Sequence, residues 1–390
     1  STLDRSSAAS DVYKRQLQDY RSGGGEYVKK VFDELLLCNS INIYGVYDSE
    51  LLFIDNDFDE FSKQIEMFDI RKMKLSNIIN VCKIDILFIG IIQRYNPYDL
   101  NNIYCKVICV MHDIGDIEIT QNNIHFMYKH TIKNYIKLTI DYWNEKSKYS
   151  TKNRVLKQYG NIRQFLGKAN VSLYTVSNYS SSSILYFFPE LKVKNITVLY
   201  PPPKSYIRCD NIDDVTIQNL FSSGKRYLLF VNANRDNKNF NVLNKCIDKV
   251  VSNFPNMYIV VTGLNMQVET KNVIALGYVS NSDMENLYQK AWALIYASYT
   301  EGFGYPPIES LKYSVPVITS NVCSMPEILS NAVLYFSPFY ENDLFFKIVQ
   351  LHKEYQYYQS LSYEQYTKIR KKQEIDFAKL MSCIIDKINQ

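Results

Sequence analysis

Short apolar runs alternate with longer amphipathic stretches along most of this chain. In the first half, the runs that predict strands are residues 41–47, 84–91, 107–112, 171–176 and 196–199. Helical patterns lie between them. Strands that alternate with helices are typical of a parallel α/β sheet, because a parallel strand pair needs a crossover connection.

The second half repeats this organisation after a proline-rich break at residues 200–203 (Tyr-Pro-Pro-Pro), which can continue neither a helix nor a central strand. Its predicted strands are residues 227–231, 257–262, 273–276, 293–296, 315–319 and 333–336, and residues 341–390 have a helical pattern. We therefore predict two Rossmann-like domains, 17–204 and 205–390, whose parallel sheets face each other across a cleft.

Residues 1–16 have no hydrophobic periodicity and differ from everything that follows. The run from Asp11 to Gln16 resembles the translation of a sequencing-library adapter. We therefore expect a non-native segment outside the fold, with the native start and the first strand missing. The alternative is a genuine disordered N-terminus.

Composition narrows the classes of function. Lys and Arg number 44 against 40 Asp and Glu, a net charge of +4, which excludes a globally basic nucleic-acid binder. The eight cysteines are scattered without a metal-ligand spacing, which favours a reduced cytosolic protein. No apolar run approaches the ~18 residues of a membrane span.

The densest candidate chemistry lies at residues 298–311, directly after a predicted buried strand. Gly302 and Gly304 allow a ligand to approach the backbone, and the two prolines after them suit the first turn of a helix. Glu301 and Glu309 then offer two carboxylates to one cleft, where they can bind the hydroxyl groups of a polyhydroxylated ligand. The alternative is a glycine turn with two solvated glutamates.

This segment resembles the Glu–seven–Glu motif of retaining GT-B glycosyltransferases of family 4, also called glycosyl transferases group 1. Further matching segments follow the family's order: 22–27 (Gly-rich loop), 110–114 (His-Asp), 176–180, 227–239 (basic pair), 261–263, 276–279, 315–318 and 324–328. The resemblance covers residues 17 to about 348 and implies a GT-B fold.

The resemblance also assigns roles. Arg235 and Lys238 would bind the donor diphosphate without a metal, because the leaving nucleoside diphosphate gains negative charge in the transition state. The alternative is a pair of solvated surface charges. Glu309 would bind the ribose diol, and Glu301 the donor sugar. The remaining expected ligand contacts are Phe303 and Gly304 to the sugar, Gly277, Tyr278 and Val279 beside the base, and the Gly-rich loop Gly23, Gly24 and Gly25.

His112 is one of four histidines and matches the family histidine that points at the reacting sugar and phosphate. We expect it, with Glu301, to be catalytic, by donating a hydrogen bond or stabilising developing charge. The alternative is a structural histidine. The resemblance implies retention by a front-face route in which the leaving phosphate helps to deprotonate the acceptor, and no protein nucleophile is assigned.

Two residues depart from the family pattern. Asn232 replaces a glycine after the strand 227–231, and asparagine tolerates positive φ, so the turn can survive. Ser314 stands where the family has a glycine before the residues Val-Pro-Val-Ile, which puts the end of the preceding helix in doubt.

Two weaker patterns remain. Residues 55–59 with Glu66 resemble a calcium loop or a metal-binding D-x-D, but Glu60 occupies the position that needs glycine, so we predict no metal site. Residues 129–168 carry ten Lys and Arg against two acidic residues, with apolar residues interleaved. They predict either a peripheral contact with anionic lipid or a solvated basic face.

The sequence thus predicts a cytoplasmic hexosyltransferase, peripheral at the inner face of the membrane. It would use a UDP-, GDP- or dTDP-linked sugar as substrate, no cofactor, and a glycan or lipid-linked glycan acceptor in bacterial surface polysaccharide synthesis. The rival interpretations are a GT-B nucleotide-sugar 2-epimerase and a non-catalytic GT-B subunit that supports a partner enzyme.

Overall fold

The computed structural model describes residues 7–13, 23–38, 41–49, 62–94, 100–121, 132, 136, 156–157, 159–204, 212, 214–264 and 272–389. The chain forms two compact units. Unit 1 comprises Ser1–Ile117, Asn144–Lys204 and Lys372–Gln390, and unit 2 comprises Glu118–Trp143 and Ser205–Lys371. These units differ from the two contiguous domains, 17–204 and 205–390, expected from the sequence. Residues Lys372–Gln390 belong to unit 1 and not to the unit that contains Ser205–Lys371.

Within the described residues, unit 1 contains a seven-stranded parallel sheet in the order β3-β2-β1-β4-β5-β6-β7. Its strands are β1 (Ser7–Tyr13), β2 (Asn42–Tyr47), β3 (Glu66–Asp69), β4 (Ile86–Ile89), β5 (Lys106–Met111), β6 (Val171–Thr175) and β7 (Thr197–Val198). Every residue of β4 is buried, as is typical of a parallel strand with both faces covered.

The helices that precede residue 200 are α1 (Gly23–Leu36), α2 (Leu75–Cys82), α3 (Gly115–Gln121), α4 (Gly160–Leu166) and α5 (Asn178–Phe187), with 3-10 turns at Ile92–Arg94 and Pro189–Val193. Helix α5 begins where the Ser177 hydroxyl accepts a hydrogen bond from the Ser180 amide at 3.1 Å, a capping arrangement that satisfies a free N–H group. Apolar side chains of α2, α4 and α5 pack on β4 and β5 in one core cluster.

The expectation that residues 1–16 lie outside the fold is wrong for residues 7–13. Strand β1 lies between β2 and β4, with Ser7 opposite Asn42 and Ala8 opposite Ile86. Strand pairing uses backbone groups that every non-proline residue has, so a segment without an apolar run can still occupy a central position. Strand β3 was also missing from the sequence prediction.

Unit 2 contains, in its described part, a six-stranded parallel sheet in the order β10-β9-β8-β11-β12-β13. Its strands are β8 (Arg226–Phe230), β9 (Met257–Thr262), β10 (Val273–Leu276), β11 (Ala293–Tyr296), β12 (Val317–Ser320) and β13 (Leu334–Phe336). All six coincide with predicted strands to within two residues at either end.

The helices from residue 215 onward are α6 (Val215–Ser222), α7 (Phe240–Asn244), α8 (Ile247–Asn253), α9 (Asn281–Lys290), α10 (Tyr305–Leu311), α11 (Met325–Leu329), α12 (Glu341–Lys353) and α13 (Tyr355–Asn389), with a 3-10 turn at Asp236–Lys238. The end of α13 belongs to unit 1 because buried Asp376 and Gln373 bind the backbone of the proline-rich segment, at Tyr200 N (2.9 Å) and Pro201 O (2.8 Å).

Strands β8 and β11 are neighbours, with Leu228 opposite Ala293 and Phe230 opposite Ile295. Because the two strands are parallel, the segments that follow them, 231–239 and 297–304, leave the sheet at the same edge. None of the described helices is long and apolar enough to cross a bilayer.

Candidate active site

The loop after β8 is held by its own backbone. Asn232 has φ 58°, so the positive φ expected for this substituted position is present. Its amide donates to Thr262 Oγ1 at 3.2 Å, and the Ala233 amide donates to the Thr262 carbonyl at 2.9 Å. The loop then forms the 3-10 turn, in which the Lys238 amide donates to the Arg235 carbonyl at 2.9 Å. This places the two predicted phosphate ligands one turn apart.

Lys238 forms an ion pair with Glu301. Only 8% of the lysine side chain and 13% of the glutamate side chain are exposed. The Lys238 ammonium also donates to the hydroxyl of Tyr296, at 2.8 Å. Burial, and then the charge of Glu301, raise the pKa of Tyr296 well above its usual range, so the phenol stays neutral. A cation and a carboxylate, both predicted to bind the donor, are therefore in direct contact.

The turn that carries Glu301 requires glycine. Gly304 has φ 86°, and a Cβ there would lie 2.4 Å from Met325 Cε. The Ser324 hydroxyl donates to the Glu301 carbonyl at 2.9 Å, which fixes the turn from the other side. The positive φ and the close approach of Met325 therefore both favour glycine at position 304, and any other residue there is strained.

Glu309 lies in the second turn of α10 and is 8% exposed. Phe303, at the start of the same turn-helix segment, is buried, and its ring packs edge-on against Tyr305 with centroids 5.6 Å apart. Helix α10 ends in a turn in which Ser314 adopts φ 57°. The serine therefore takes the left-handed conformation in place of glycine, and the helix end that the sequence put in doubt is kept.

Gly277, Tyr278 and Val279 follow β10. The Gly277 carbonyl accepts a hydrogen bond from the Gly263 amide at 2.9 Å, while Tyr278 is 60% exposed. This segment lies on the β9 side of the loop after β8, because the sheet order there is β10-β9-β8. Its assignment to the base stays a prediction.

His112 lies in unit 1, directly after β5. Its Nε2 is 2.9 Å from the Gly90 carbonyl, and its ring contacts Tyr27 edge-on with centroids 5.0 Å apart. A carbonyl only accepts hydrogen bonds, so Nε2 carries the proton and donates it. Burial lowers the pKa of His112 to about 4. The imidazole is therefore neutral at pH 7, and because its N–H is directed at Gly90, the other ring nitrogen, Nδ1, can only accept a hydrogen bond. The expected catalytic role stays a prediction.

Gly23, Gly24 and Gly25 form the first turn of α1 in unit 1. The sequence prediction of a loop at these three positions is wrong, because the glycines are already helical. Glycine has no Cβ and leaves the first turn of a helix open to a ligand, so the predicted contact with substrate stays a prediction.

Two predicted features fall largely beyond what the structure describes. Residues 55–59 lie outside the described residues, as does most of the basic segment 129–168. In the described part of the chain, no cluster of His, Cys, Asp and Glu has the arrangement of a metal site.

Sequence reasoning missed two residues that shape this edge of the sheet. Tyr296 is the last residue of β11, and its sequence pattern is that of an ordinary buried aromatic residue. Nothing in the sequence indicates that its hydroxyl binds Lys238. Gly263 has φ 84°, and a Cβ there would lie 2.9 Å from Asn234 Oδ1. Its position in the matching segment 261–263 was the available signal, but its role in bringing the loops after β8 and β9 together appears only in the structure.

In a comparison with known protein families, residues 212–368 match the family described as glycosyl transferases group 1. A curated relative, the O-antigen chain mannosyltransferase RfbU of Salmonella typhimurium, is 32% identical over 166 residues, which are 37% of this chain and 46% of that protein. The match thus spans about half the length of this relative.

Solved structures resemble the whole chain. Sucrose-phosphate synthase from Thermosynechococcus elongatus has a TM-score of 0.65 at 12% identity and covers 98% of each chain. Anabaena Alr3699/HepE in complex with UDP-glucose has a TM-score of 0.64 at 12% identity, over 98% of this chain and 99% of that one. At these identities the likeness shows the fold alone, and it confirms the GT-B fold predicted from the sequence.

Proposed function

We propose that this chain, whose residues 212–368 match the family described as glycosyl transferases group 1, transfers a hexosyl unit from a nucleotide-diphosphate sugar to a glycan or lipid-linked glycan. The observation that carries the proposal is the contact between Lys238 and Glu301 at the carboxyl edge of the unit 2 sheet, with Glu309 on the helix that follows. All three residues lie inside the matched region.

The chemistry follows from the charges. Cleavage of the sugar–phosphate bond leaves negative charge on the β-phosphate, and a preorganised cation stabilises that charge in a site that excludes water. Lys238 is buried and already oriented by Tyr296, so it needs little reorganisation when a diphosphate arrives. Arg235, one turn earlier, is the second cation. Glu301 then exchanges its bond with the lysine for hydroxyl groups of the sugar.

The acceptor hydroxyl attacks the anomeric carbon from the side on which the phosphate leaves, and the leaving phosphate takes the hydroxyl proton. This route retains the anomeric configuration and needs neither a metal nor a protein nucleophile. Neutral His112 contributes a ring Nδ1 that accepts hydrogen bonds, since its Nε2 donates to Gly90. We assign it a positioning role towards the sugar.

The biological setting is proposed from the relatives. RfbU is by name an O-antigen chain mannosyltransferase, which supports a mannosyl donor and synthesis of a bacterial surface polysaccharide. HepE was solved with UDP-glucose, which supports a nucleotide-sugar substrate. We propose a cytoplasmic site of action at the inner face of the membrane, where lipid-linked acceptors are available to a peripheral enzyme.

A melting-temperature panel with UDP-, GDP- and dTDP-sugars, with and without chelator, tests donor binding. A ligand present at 100 times its Kd stabilises the folded state by about 2.7 kcal/mol. We expect one base to raise the melting temperature, equally in chelator, and Glu309→Gln to abolish that rise. Exposed Glu364→Gln in α13 serves as the matched control and should keep it.

Other outcomes select the rival interpretations. A cooperative melt that no donor shifts would favour the non-catalytic subunit. Donor binding accompanied by inversion of the sugar at C2, without an acceptor, would favour the epimerase. A shift that disappears in chelator would contradict the metal-free site.

A further inference from the structure

A second concave site lies at the opposite edge of the unit 2 sheet. Arg226 is the first residue of β8 and Trp292 directly precedes β11, so both mark the amino ends of strands whose carboxyl ends carry Lys238 and Glu301. Helices α12 and α13 meet at this edge and complete a cavity of about 630 Å³. Strand β11 is four residues long, which separates the two edges by roughly 13 Å.

One wall of this cavity, the amino-edge cavity, is a rigid aromatic stack. The Trp292 indole is 7% exposed and lies parallel to the Tyr355 ring, with centroids 5.2 Å apart and an interplanar angle of 17°. The His352 ring packs 6.2 Å from the indole. Tyr357 adds a phenol that is 57% exposed. The indole is covered by its stacking partner and by the core, so the aromatic surface that a ligand can reach comes from exposed His352 and Tyr357 and from partly exposed Tyr355. Aromatic side chains provide contact area at little cost in conformational entropy.

The remaining lining residues are the cations Arg226 and Lys353, the carboxylate Glu354 and the amide Gln356. Arg226 and Lys353 are exposed, and within the described part of the chain no carboxylate lies within ion-pair distance of either. Glu354 is the single carboxylate among the lining residues. The cavity therefore places two cations and one carboxylate, a formal excess of one positive charge, beside exposed aromatic rings.

We propose that the amino-edge cavity binds a segment of an acidic oligosaccharide. A pyranose ring presents an apolar C–H face to aromatic side chains and hydroxyl groups around its rim, and a uronate carboxylate matches the guanidinium of Arg226. The cavity volume lies in the range of about 300–1,000 Å³ that is usual for ligand sites. Its concave shape fits a short oligosaccharide better than a flat lipid surface, which needs protruding apolar groups.

This binding site does not depend on the transferase proposal, because none of its residues belongs to the donor site. If this proposal and the transferase proposal are both correct, the enzyme has a second binding site for the acidic polysaccharide that it extends. The local concentration of acceptor near the donor site then rises.

The experiment is calorimetric titration of the full chain with a tetrasaccharide that contains glucuronic acid. Its matched probe is the same tetrasaccharide with the carboxylates reduced to hydroxymethyl groups. We expect the acidic form to bind and the reduced form to bind at least about tenfold more weakly, since a charge-assisted hydrogen bond contributes about 1.5–3 kcal/mol. Arg226→Gln should weaken the acidic form by a similar factor.

Tyr357→Ala should weaken both forms about threefold to tenfold, because an aromatic contact contributes about 0.5–1.5 kcal/mol. Lys368→Gln removes an exposed cation from α13 away from the cavity and should change neither Kd. Each of these side chains is exposed, so the variants should fold like the wild type. Melting temperatures check this.

Three results would overturn the proposal: no binding of the acidic form, equal binding of the two forms, or full affinity in Arg226→Gln. A fourth result would also overturn it. If a nucleoside diphosphate still displaces the tetrasaccharide in the Glu309→Gln variant, the cavity is a nucleotide site. Repeating the titration in Glu309→Gln separates this test from the transferase proposal, since that variant lacks the donor site and should bind the tetrasaccharide normally.

Discussion

Substitution of Gly304 by alanine tests whether the turn beside Glu301 is as constrained as its geometry indicates. The residue has φ 86°, and the added Cβ would approach Met325 to 2.4 Å at Cε and 3.1 Å at Sδ. Met325 is fully buried, so its side chain has little room to move. Two costs therefore apply at once, one from the backbone and one from packing.

The magnitude follows from those two costs. A left-handed conformation costs a residue with a Cβ about 1–2 kcal/mol. Forcing one extra methyl group into a packed site costs about 1–3 kcal/mol. Against these, alanine restricts the unfolded chain and recovers about 0.4–1 kcal/mol. We expect Gly304→Ala to lower the free energy of unfolding by about 2–4 kcal/mol.

Gly224 provides the matched control. It has φ 61°, but an added Cβ would meet nothing within 4 Å, so Gly224→Ala carries the backbone cost alone. Urea unfolding followed by tryptophan fluorescence should show a smaller loss, about 1 kcal/mol.

The double variant with Met325→Ala isolates the packing cost. We expect Met325→Ala to cost about 1–2 kcal/mol less in the Gly304→Ala background than in the wild type, because it then relieves a clash as well as leaving a cavity. Equal losses at positions 304 and 224, together with an additive double variant, would refute this reasoning.

Three further predictions concern stability and protonation. Lys238→Met should lower the free energy of unfolding by about 3 kcal/mol, because it leaves Glu301 buried without its cation. The double variant Lys238→Met with Glu301→Gln should recover part of that loss in the same urea assay. If the losses of the two single variants simply add in the double variant, the two side chains do not form a direct pair. Asp376→Asn should lower the free energy of unfolding by about 2–3 kcal/mol, since the carboxylate accepts hydrogen bonds from the Tyr200 amide at 2.9 Å and from Lys372 at 2.7 Å. A loss no larger than that caused by the same substitution at an exposed carboxylate would contradict this. The pKa of His112 is lowered from 6.5 to about 4 in the folded chain, so the unfolded chain binds the proton more tightly. The free energy of unfolding should therefore fall as the pH drops from 6.5 towards 4, and His112→Gln should reduce this pH dependence. An NMR titration midpoint near 6.5 for His112 would contradict the burial of the ring.

Much of the fold could be predicted from the sequence because buried parallel strands are continuous apolar runs. The six strands of unit 2 and most of unit 1 carry that pattern. Strand β1 does not, because the segment Ser-Ala-Ala-Ser-Asp-Val-Tyr pairs through its backbone and has no apolar run. Strand β3, four residues that begin with an exposed glutamate at the edge of the sheet, is too short for a period to be recognised.

The candidate site was predictable in composition but not in its contacts. The spacing of Glu301 and Glu309 indicated two carboxylates near one loop, whereas Lys238 was selected only through the family resemblance; the roles of all three stay predictions. The ion pair between positions 238 and 301 depends on two loops that meet only because β8 and β11 are neighbours in the sheet. The neutral state of His112 depends on its burial beside Gly90, which no local pattern encodes.

The most direct test of the central claim is sugar transfer itself. Radiolabelled donor, chosen by the melting panel, is incubated with lipid-linked glycans extracted from bacterial membranes, and label in the lipid fraction is measured for wild type, Lys238→Met and the exposed control Glu364→Gln. The account predicts transfer by the wild type and the control, and a loss of at least about 100-fold in Lys238→Met, because removing one preorganised charge-stabilising group typically costs that much. Equal incorporation by a folded Lys238→Met variant would contradict it.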